Sequence, residues 1–163
     1  DHRHLHSFPT RRSSNLGGKR LRASLEASAT HASTLEYAEE TGDEQFLPVY
    51  WEGFKYYQAY LFEVDGAPRW MSDRRYPHDV HGAAQGIISL SKAGRYKPEH
   101  LVFAGRIADW AVNYLYRAES CDFIYRQGRF KKWNYSLMRW CNAWMARALG
   151  EYEIVRKQQG VKT

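Results

Sequence analysis

The stretch that decides the fold is Tyr76-Pro77-His78-Asp79-Val80-His81-Gly82-Ala83-Ala84-Gln85-Gly86-Ile87-Ile88. Pro77 suits the first turn of a helix, because it lacks an amide hydrogen and its φ is already helical. Apolar and small residues then form one helical stripe that ends at Gly94, consisting of Val80, Ala83, Ala84, Ile87, Ile88 and Ser91. The stretch therefore predicts a largely buried helix over 77–94.

Two more helices are predicted upstream of this stretch. An Ala-, Leu- and Glu-rich segment over 21–40 predicts a helix that ends at Gly42. A second, amphipathic helix with Pro48 in its first turn is indicated by apolar residues at spacings of three and four, namely Leu47, Tyr50, Phe54, Tyr57 and Leu61. Residues 62–75 contain an Asp-Gly step and a proline, which predict a small hairpin or an irregular loop.

Downstream, Pro98 opens a further helix whose apolar pattern continues to Leu115. Two β-prone runs around Gln127-Gly128 predict a hairpin over 121–133. A last helix is predicted over 135–149, with Asn134 as its N-cap. The tail beyond Tyr152 is polar, and we expect it to fray.

The order of these elements is helix, helix, loop or hairpin, helix, helix, hairpin, helix. Five helices with such connections are too few to close a ring, but they suit an arc of one. The sequence thus predicts an all-α fold, a partial α/α toroid of helical hairpins with short β-hairpins in the loops. We expect residues 17–163 to form the C-terminal part of such a domain.

The first residues stand apart from this pattern. Residues 6–16 have no periodicity and no apolar face, which is typical of a disordered tail. They also resemble, except at Asn15, the translation of a common short-read sequencing adapter. A basic targeting peptide is the alternative, since arginines occur there among serines. We expect residues 1–16 to be a non-native tail.

Composition restricts the classes of function. The 163-residue chain carries a formal charge of +6, but its 24 lysines and arginines are dispersed, so no nucleic-acid partner is expected. No run of eighteen apolar residues predicts a membrane span. Cys121 and Cys141 form no CxxC pair, which favours a reduced, cytoplasmic setting without a zinc site. No Gly-rich phosphate loop, Ser-His-Asp order or zinc signature appears in the sequence. We expect no cofactor.

A family resemblance rests on residues 76–88 together with Phe123-Ile124-Tyr125-Arg126 and Met138-Arg139-Trp140-Cys141-Asn142-Ala143-Trp144-Met145. These motifs resemble the C-terminal portion of bacterial α/α-toroid proteins of polysaccharide gene clusters, which are similar to six-hairpin glycosidases. The resemblance implies a carbohydrate-active or carbohydrate-binding protein of exopolysaccharide or capsule metabolism. It also implies a saccharide ligand, with Tyr125 and Arg126 among the residues that bind it.

Two polar rows beside apolar stripes form the candidate site. His78, His81 and Gln85 follow one another at spacings of three and four after Pro77, with Asp79 in the first turn. The last predicted helix carries a second row, which consists of Tyr135, Arg139 and Asn142 and lies next to Trp140 and Trp144. Donors, acceptors and aromatic faces together suit a hydroxylated or carboxylated sugar. We predict Asp79 and His81 as catalytic and the others as substrate-binding.

Several alternatives remain open at this stage. Asp79 could instead cap the helix, His81 could be a half-buried structural histidine, and Arg139 could form an internal ion pair rather than grip a sugar carboxylate. A metal site is not predicted, because His78, Asp79 and His81 crowd a single turn. At the level of function, the alternative is a non-catalytic scaffold that binds polysaccharide-assembly proteins. If the protein is an enzyme, a hydrolase, lyase or epimerase of sugars is expected.

Overall fold

The computed structural model describes residues 26–160, with side chains from residue 34 onward. Within this range the α-helices are α1 (Glu26–Thr41), α2 (Leu47–Leu61), α3 (Val80–Gly94), α4 (Pro98–Leu115) and α5 (Trp144–Gln158). A six-residue π-helix, Met138–Ala143, leads directly into α5. The predicted tail over 1–16 and the predicted helix start at residue 21 lie outside the described residues.

Short antiparallel strands connect the helices at one end. They are β1 (His78–Asp79), β2 (Tyr116–Arg117), β3 (Asp122–Phe123), β4 (Arg126–Gln127) and β5 (Lys132–Trp133). β4 pairs with both β1 and β5, and β2 pairs with β3. In the β1–β4 pair, Asp79 lies opposite Arg126. The small sheet therefore joins the segment before α3 to the hairpin that was predicted over 121–133.

Helix α3 lies at the centre of the arc. Each of its residues is buried except Gln85 and Lys92, because α4 and α5 pack against it and α1 also contacts it. Its first half contains Gly82, Ala83 and Ala84, small residues that allow neighbouring helices to approach closely. The prediction of a largely buried helix is confirmed.

The other helices bury one stripe each. Tyr50, Phe54, Tyr57 and Leu61 of α2 are buried, as the spacing of their side chains predicted. α4 buries a corresponding stripe toward α3, which includes Leu101, Ala104, Ile107, Ala111 and Leu115. Burial of these apolar side chains is the main favourable contribution to folding.

Three boundaries differ from the prediction. α3 begins at Val80 rather than at Pro77, because His78 and Asp79 are extended and pair with β4. Residues 134–137 are not helical, and the π-helix precedes α5. The predicted fraying beyond Tyr152 is wrong, since α5 continues to Gln158.

Tertiary contacts explain the longer α5. Val155 is fully buried, and the Gln159 side-chain amide donates to the Gly94 carbonyl at the end of α3. The Arg95 guanidinium also donates to Glu151 Oε1 at 2.8 Å. These contacts stabilise a segment whose own sequence is polar. Among residues 26–160, no helix is long and apolar enough to span a bilayer.

Gly86 of α3 offers a test of this close packing. A Cβ atom at Gly86 would lie 2.6 Å from the Phe62 ring and 3.1 Å from Ile107 Cδ1. We expect Gly86→Ala to lower the free energy of unfolding by about 1–2 kcal/mol, because overpacking outweighs the better helix propensity of alanine. Urea unfolding followed by circular dichroism measures the change.

Gly150→Ala is the matched control. Gly150 lies in α5, and a Cβ atom there would meet nothing within 4 Å. This variant should gain about 0.5–1 kcal/mol, because alanine loses less backbone freedom on folding. Equal effects of the two substitutions would contradict the close approach at Gly86.

Candidate functional site

Asp79 joins the start of α3 to the small sheet. Its Oδ1 accepts a hydrogen bond from the His81 amide at 2.8 Å, and its Oδ2 accepts one from Arg126 Nε at 2.6 Å. The side chain is almost completely buried. The capping role considered from the sequence is confirmed, and the same carboxylate also forms an ion pair.

Arg126 is held between aromatic rings as well as by Asp79. Its guanidinium carbon lies 4.5 Å from the ring centroid of Trp70 and 4.2 Å from that of Tyr125. Such cation–π contacts strengthen when the cation is shielded from water. These contacts of Arg126 are all internal to the protein, and its contact with a substrate stays a prediction.

His81 lies in an aromatic box. Its ring stacks on Trp140 with centroids 4.4 Å apart and an interplanar angle of 19°, and it meets Trp144 edge-on at 4.9 Å. The side chain is 2% exposed, and within the described residues Nδ1 has no hydrogen-bond partner. A buried polar atom without a partner is uncommon and costs free energy. This box is formed by residues of α3, the π-helix and α5.

The environment of His81 favours its neutral form. Burial lowers the pKa of the imidazole from its ordinary value of 6.5, and the Asp79 carboxylate opposes this shift. The neutral ring has one nitrogen that can accept a proton. Near neutral pH, His81 is therefore a neutral imidazole with one unprotonated ring nitrogen.

His78 does not share the box. Its Nδ1 donates to the Pro68 carbonyl at 2.7 Å, and its ring packs edge-on against Trp110 of α4. Because His78 lies in β1, the predicted helical row of His78, His81 and Gln85 is wrong at its first member. Gln85 follows His81 by one turn of α3 and is half-buried. Burial lowers the pKa of His78 as well.

The second predicted row is also divided. Tyr125 and Tyr135 stack with ring centroids 5.3 Å apart, and Tyr135 is half exposed. Asn142 Oδ1 accepts from the Phe123 amide at 2.9 Å, and its Nδ2 donates to Ser136 Oγ. Asn142 thus fixes the π-helix to β3, which gives it a structural role.

Arg139 projects from the π-helix and is exposed. It forms no ion pair with any residue that the structure describes, so the internal ion pair considered from the sequence is absent there. Likewise, no cluster of three or more metal-ligating side chains occurs among residues 34–160. Arg139 therefore keeps a guanidinium available to a ligand.

Two nearby residues were missed by the sequence reasoning. Arg147 lies over Trp144, with its guanidinium carbon 5.4 Å from the ring centroid. Trp70 belongs to an irregular loop, where no periodicity marks it. Arg147 could have been found, because it follows Trp144 by three residues on the same helix and so lies on a neighbouring part of its surface.

Two surface depressions differ in their relation to the box. A shallow recess of about 170 Å³ is lined by Ala143, Trp144 and Arg147 and adjoins it. A larger cleft of about 420 Å³ lies between α2 and α4, and Phe62, Phe103 and Arg106 are among its lining residues. No predicted site residue lines that cleft, so its size alone does not relate it to the candidate site.

The order and packing of the helices are those of an arc of an α/α toroid. No protein-family profile matches the chain, and no curated protein matches it. Among solved structures, cellobiose 2-epimerase from Bacillus thermoamylovorans B4167 is similar, with a TM-score of 0.67 and 14% sequence identity. The match covers 80% of this chain and 39% of that one, so the chain spans well under half the length of that enzyme. The predicted all-α, partial α/α toroid fold is confirmed.

Removing the Asp79 carboxylate tests its double role. We expect Asp79→Ala to lower the free energy of unfolding by about 2–4 kcal/mol, from about 1 for the lost cap and about 1–3 for leaving Arg126 unpaired. Chemical unfolding measures the loss. Glu52→Ala, which removes an exposed ion pair with Lys55, is the control and should change stability by about 0.5 kcal/mol or less. A similar loss in both variants would contradict the role of Asp79.

His81 should also make stability depend on pH. Its pKa is lowered in the folded state, so the unfolded chain binds the proton first as the pH falls below 6.5. Stability therefore decreases with falling pH until the folded-state pKa is passed, by at most about 1.4 kcal/mol per pH unit for one proton. The free energies of unfolding of the protein and of His81→Phe, plotted against pH, should diverge below pH 6.5. Parallel plots would contradict the prediction, because the pKa of His81 would then be the same in the folded and unfolded states.

Proposed function

We propose that this protein binds a saccharide at the His81–Trp140–Trp144 box and acts on it there. The observation that supports this is a buried imidazole that stacks on Trp140, meets Trp144 edge-on and has a nitrogen without a partner among the described residues. Aromatic faces pack against the apolar faces of sugar rings, and a few polar groups then fix the orientation. Gln85, Tyr135 and Arg139 are the polar groups that we assign to this ligand.

In this proposal His81 transfers the proton. A base whose pKa is near or below neutral is free to accept a proton at pH 7, and general acid–base catalysis requires such a group within reach of the substrate. Asp79 is a positioning residue, because its two oxygens already accept from the His81 amide and Arg126. A lyase or an epimerase can use an imidazole that takes up a proton from carbon in this way, whereas hydrolysis of a glycosidic bond ordinarily requires a pair of carboxylates.

The fold supports the same proposal. The similar solved structure is named as a cellobiose 2-epimerase. Its helices are arranged like those of this chain. A role in exopolysaccharide or capsule metabolism rests on the resemblance of residues 76–88 and 138–145 to proteins of polysaccharide gene clusters. A polysaccharide or one of its precursors is the ligand class that we propose.

A second candidate function is that of a non-catalytic scaffold. The outward face of α2 exposes Val49, Tyr56 and Tyr60, and the two tyrosine rings stack with centroids 4.5 Å apart. Exposed aromatic residues of this kind are enriched in protein interfaces. Under this alternative, Tyr60→Ser would abolish association with a polysaccharide-assembly protein and leave saccharide binding unchanged.

Trp140 provides the test of saccharide binding. We expect Trp140→Ala to weaken the affinity for a bound oligosaccharide about tenfold or more, because the stacking face and the support of His81 are both lost. Isothermal titration calorimetry against a panel of neutral and acidic oligosaccharides measures the affinity. Tyr60→Ala on α2 is the control and should bind as the unchanged protein does.

The same panel separates binding from catalysis. In D₂O, an epimerase incorporates deuterium at the carbon that it inverts, and a hydrolase produces new reducing ends. His81→Gln should abolish either reaction and retain binding, because its side chain stays polar but cannot exchange a proton near neutral pH. If no saccharide binds, or if Trp140→Ala binds normally, the proposal is wrong.

A further inference from the structure

Arg147 forms, with Trp144, a small site beside the aromatic box. Its guanidinium lies over the Trp144 ring, and the two side chains line the recess of about 170 Å³ with Ala143. Trp144 in turn meets His81 edge-on at 4.9 Å. A group bound in this recess would therefore contact Trp144, whose ring in turn contacts His81.

The charges around the recess are unbalanced. Arg147 forms no ion pair with any residue that the structure describes, and the same holds for Arg139. Arg139 precedes Ala143 by four residues and Arg147 follows it by four, so the two cations lie about two helical turns apart, one on each side of Ala143 along the helix. Two uncompensated positive charges favour an anion between or beside them.

Other arginines of the same region show the contrast. Arg126 donates to Asp79, and Arg117 donates to both oxygens of Asp122 at 2.7 and 2.6 Å. Both of these arginines thus have a structural carboxylate. Arg147 has an aromatic ring on one side and solvent on the other, which leaves its planar set of donors free for a bidentate contact.

We propose that Arg147 and Trp144 form a subsite for the carboxylate-bearing ring of an acidic saccharide, a uronic acid unit. This inference rests on the proposed saccharide function. The recess is small compared with pockets that enclose a whole ligand, so it suits one ring or one acid group of a longer chain. Trp144 packs against the ring, Arg147 pairs with the carboxylate, and Arg139 adds longer-range attraction.

The subsite selects acidic over neutral sugars. A sugar with a carboxylate at C6 gains a charge-assisted, bidentate contact that the corresponding hydroxymethyl group does not provide. Because the recess is open to solvent, the expected preference is about tenfold in affinity rather than several thousandfold. Increasing salt should reduce this preference and leave the binding of a neutral sugar almost unchanged.

The experiment compares cellobiose with its C6-carboxylated derivative, two probes that share one skeleton. Isothermal titration calorimetry is performed on the full chain, on Arg147→Ala and on Arg147→Lys. We expect the unchanged protein to bind the carboxylated probe about tenfold more tightly, Arg147→Ala to lose that preference without losing cellobiose, and Arg147→Lys to keep part of it.

Arg106→Ala is the matched control. Arg106 is exposed and lies over the Phe103 ring at 6.0 Å, the same kind of contact on a different helix, α4, so its removal should leave the preference intact. Equal affinity for the two probes, or an unchanged preference in Arg147→Ala, would overturn the inference while saccharide binding stands. If neither probe binds and no other saccharide does, the proposed function itself fails, and this inference fails with it.

Discussion

The shared carboxylate of Asp79 is the interaction on which the site depends. A helix that is buried on nearly all sides has amide groups at its start that water cannot reach, and they need an internal acceptor. Asp79 provides one and pairs at the same time with Arg126 in β4. One side chain thus fixes where α3 begins and how the small sheet lies against it. The start of α3 in turn determines the position of His81.

The aromatic residues around this pair serve two purposes. Trp70 and Tyr125 shield the guanidinium of Arg126, which strengthens its attraction to Asp79 because the local dielectric is lower there. Trp140 and Trp144 surround His81 instead. Aromatic side chains therefore stabilise a structural cation on one side of the start of α3 and enclose a buried imidazole on the other.

The arginines are divided in the same way. Arg117 and Arg126 have carboxylate partners that hold loops in place, whereas Arg139 in the π-helix and Arg147 in α5 are exposed. A formal charge of +6 conveys none of this. The position of each charge relative to the acids, and not the total, indicates which cations are available to a ligand.

The sequence by itself determined the helices and much of the arc, because the periodicity of residues in α2, α3 and α4 is a local property of the chain. It also determined the hairpin at Gln127-Gly128, where turn chemistry is local, and it offered the capping role of Asp79. Only the tertiary structure decided that His78 and His81 separate, that Arg126 pairs with a residue 47 positions away, and that Arg147 lies beside the box. Contacts between distant segments produce no regular residue spacing in the sequence, because they depend on how the helices and the sheet pack together.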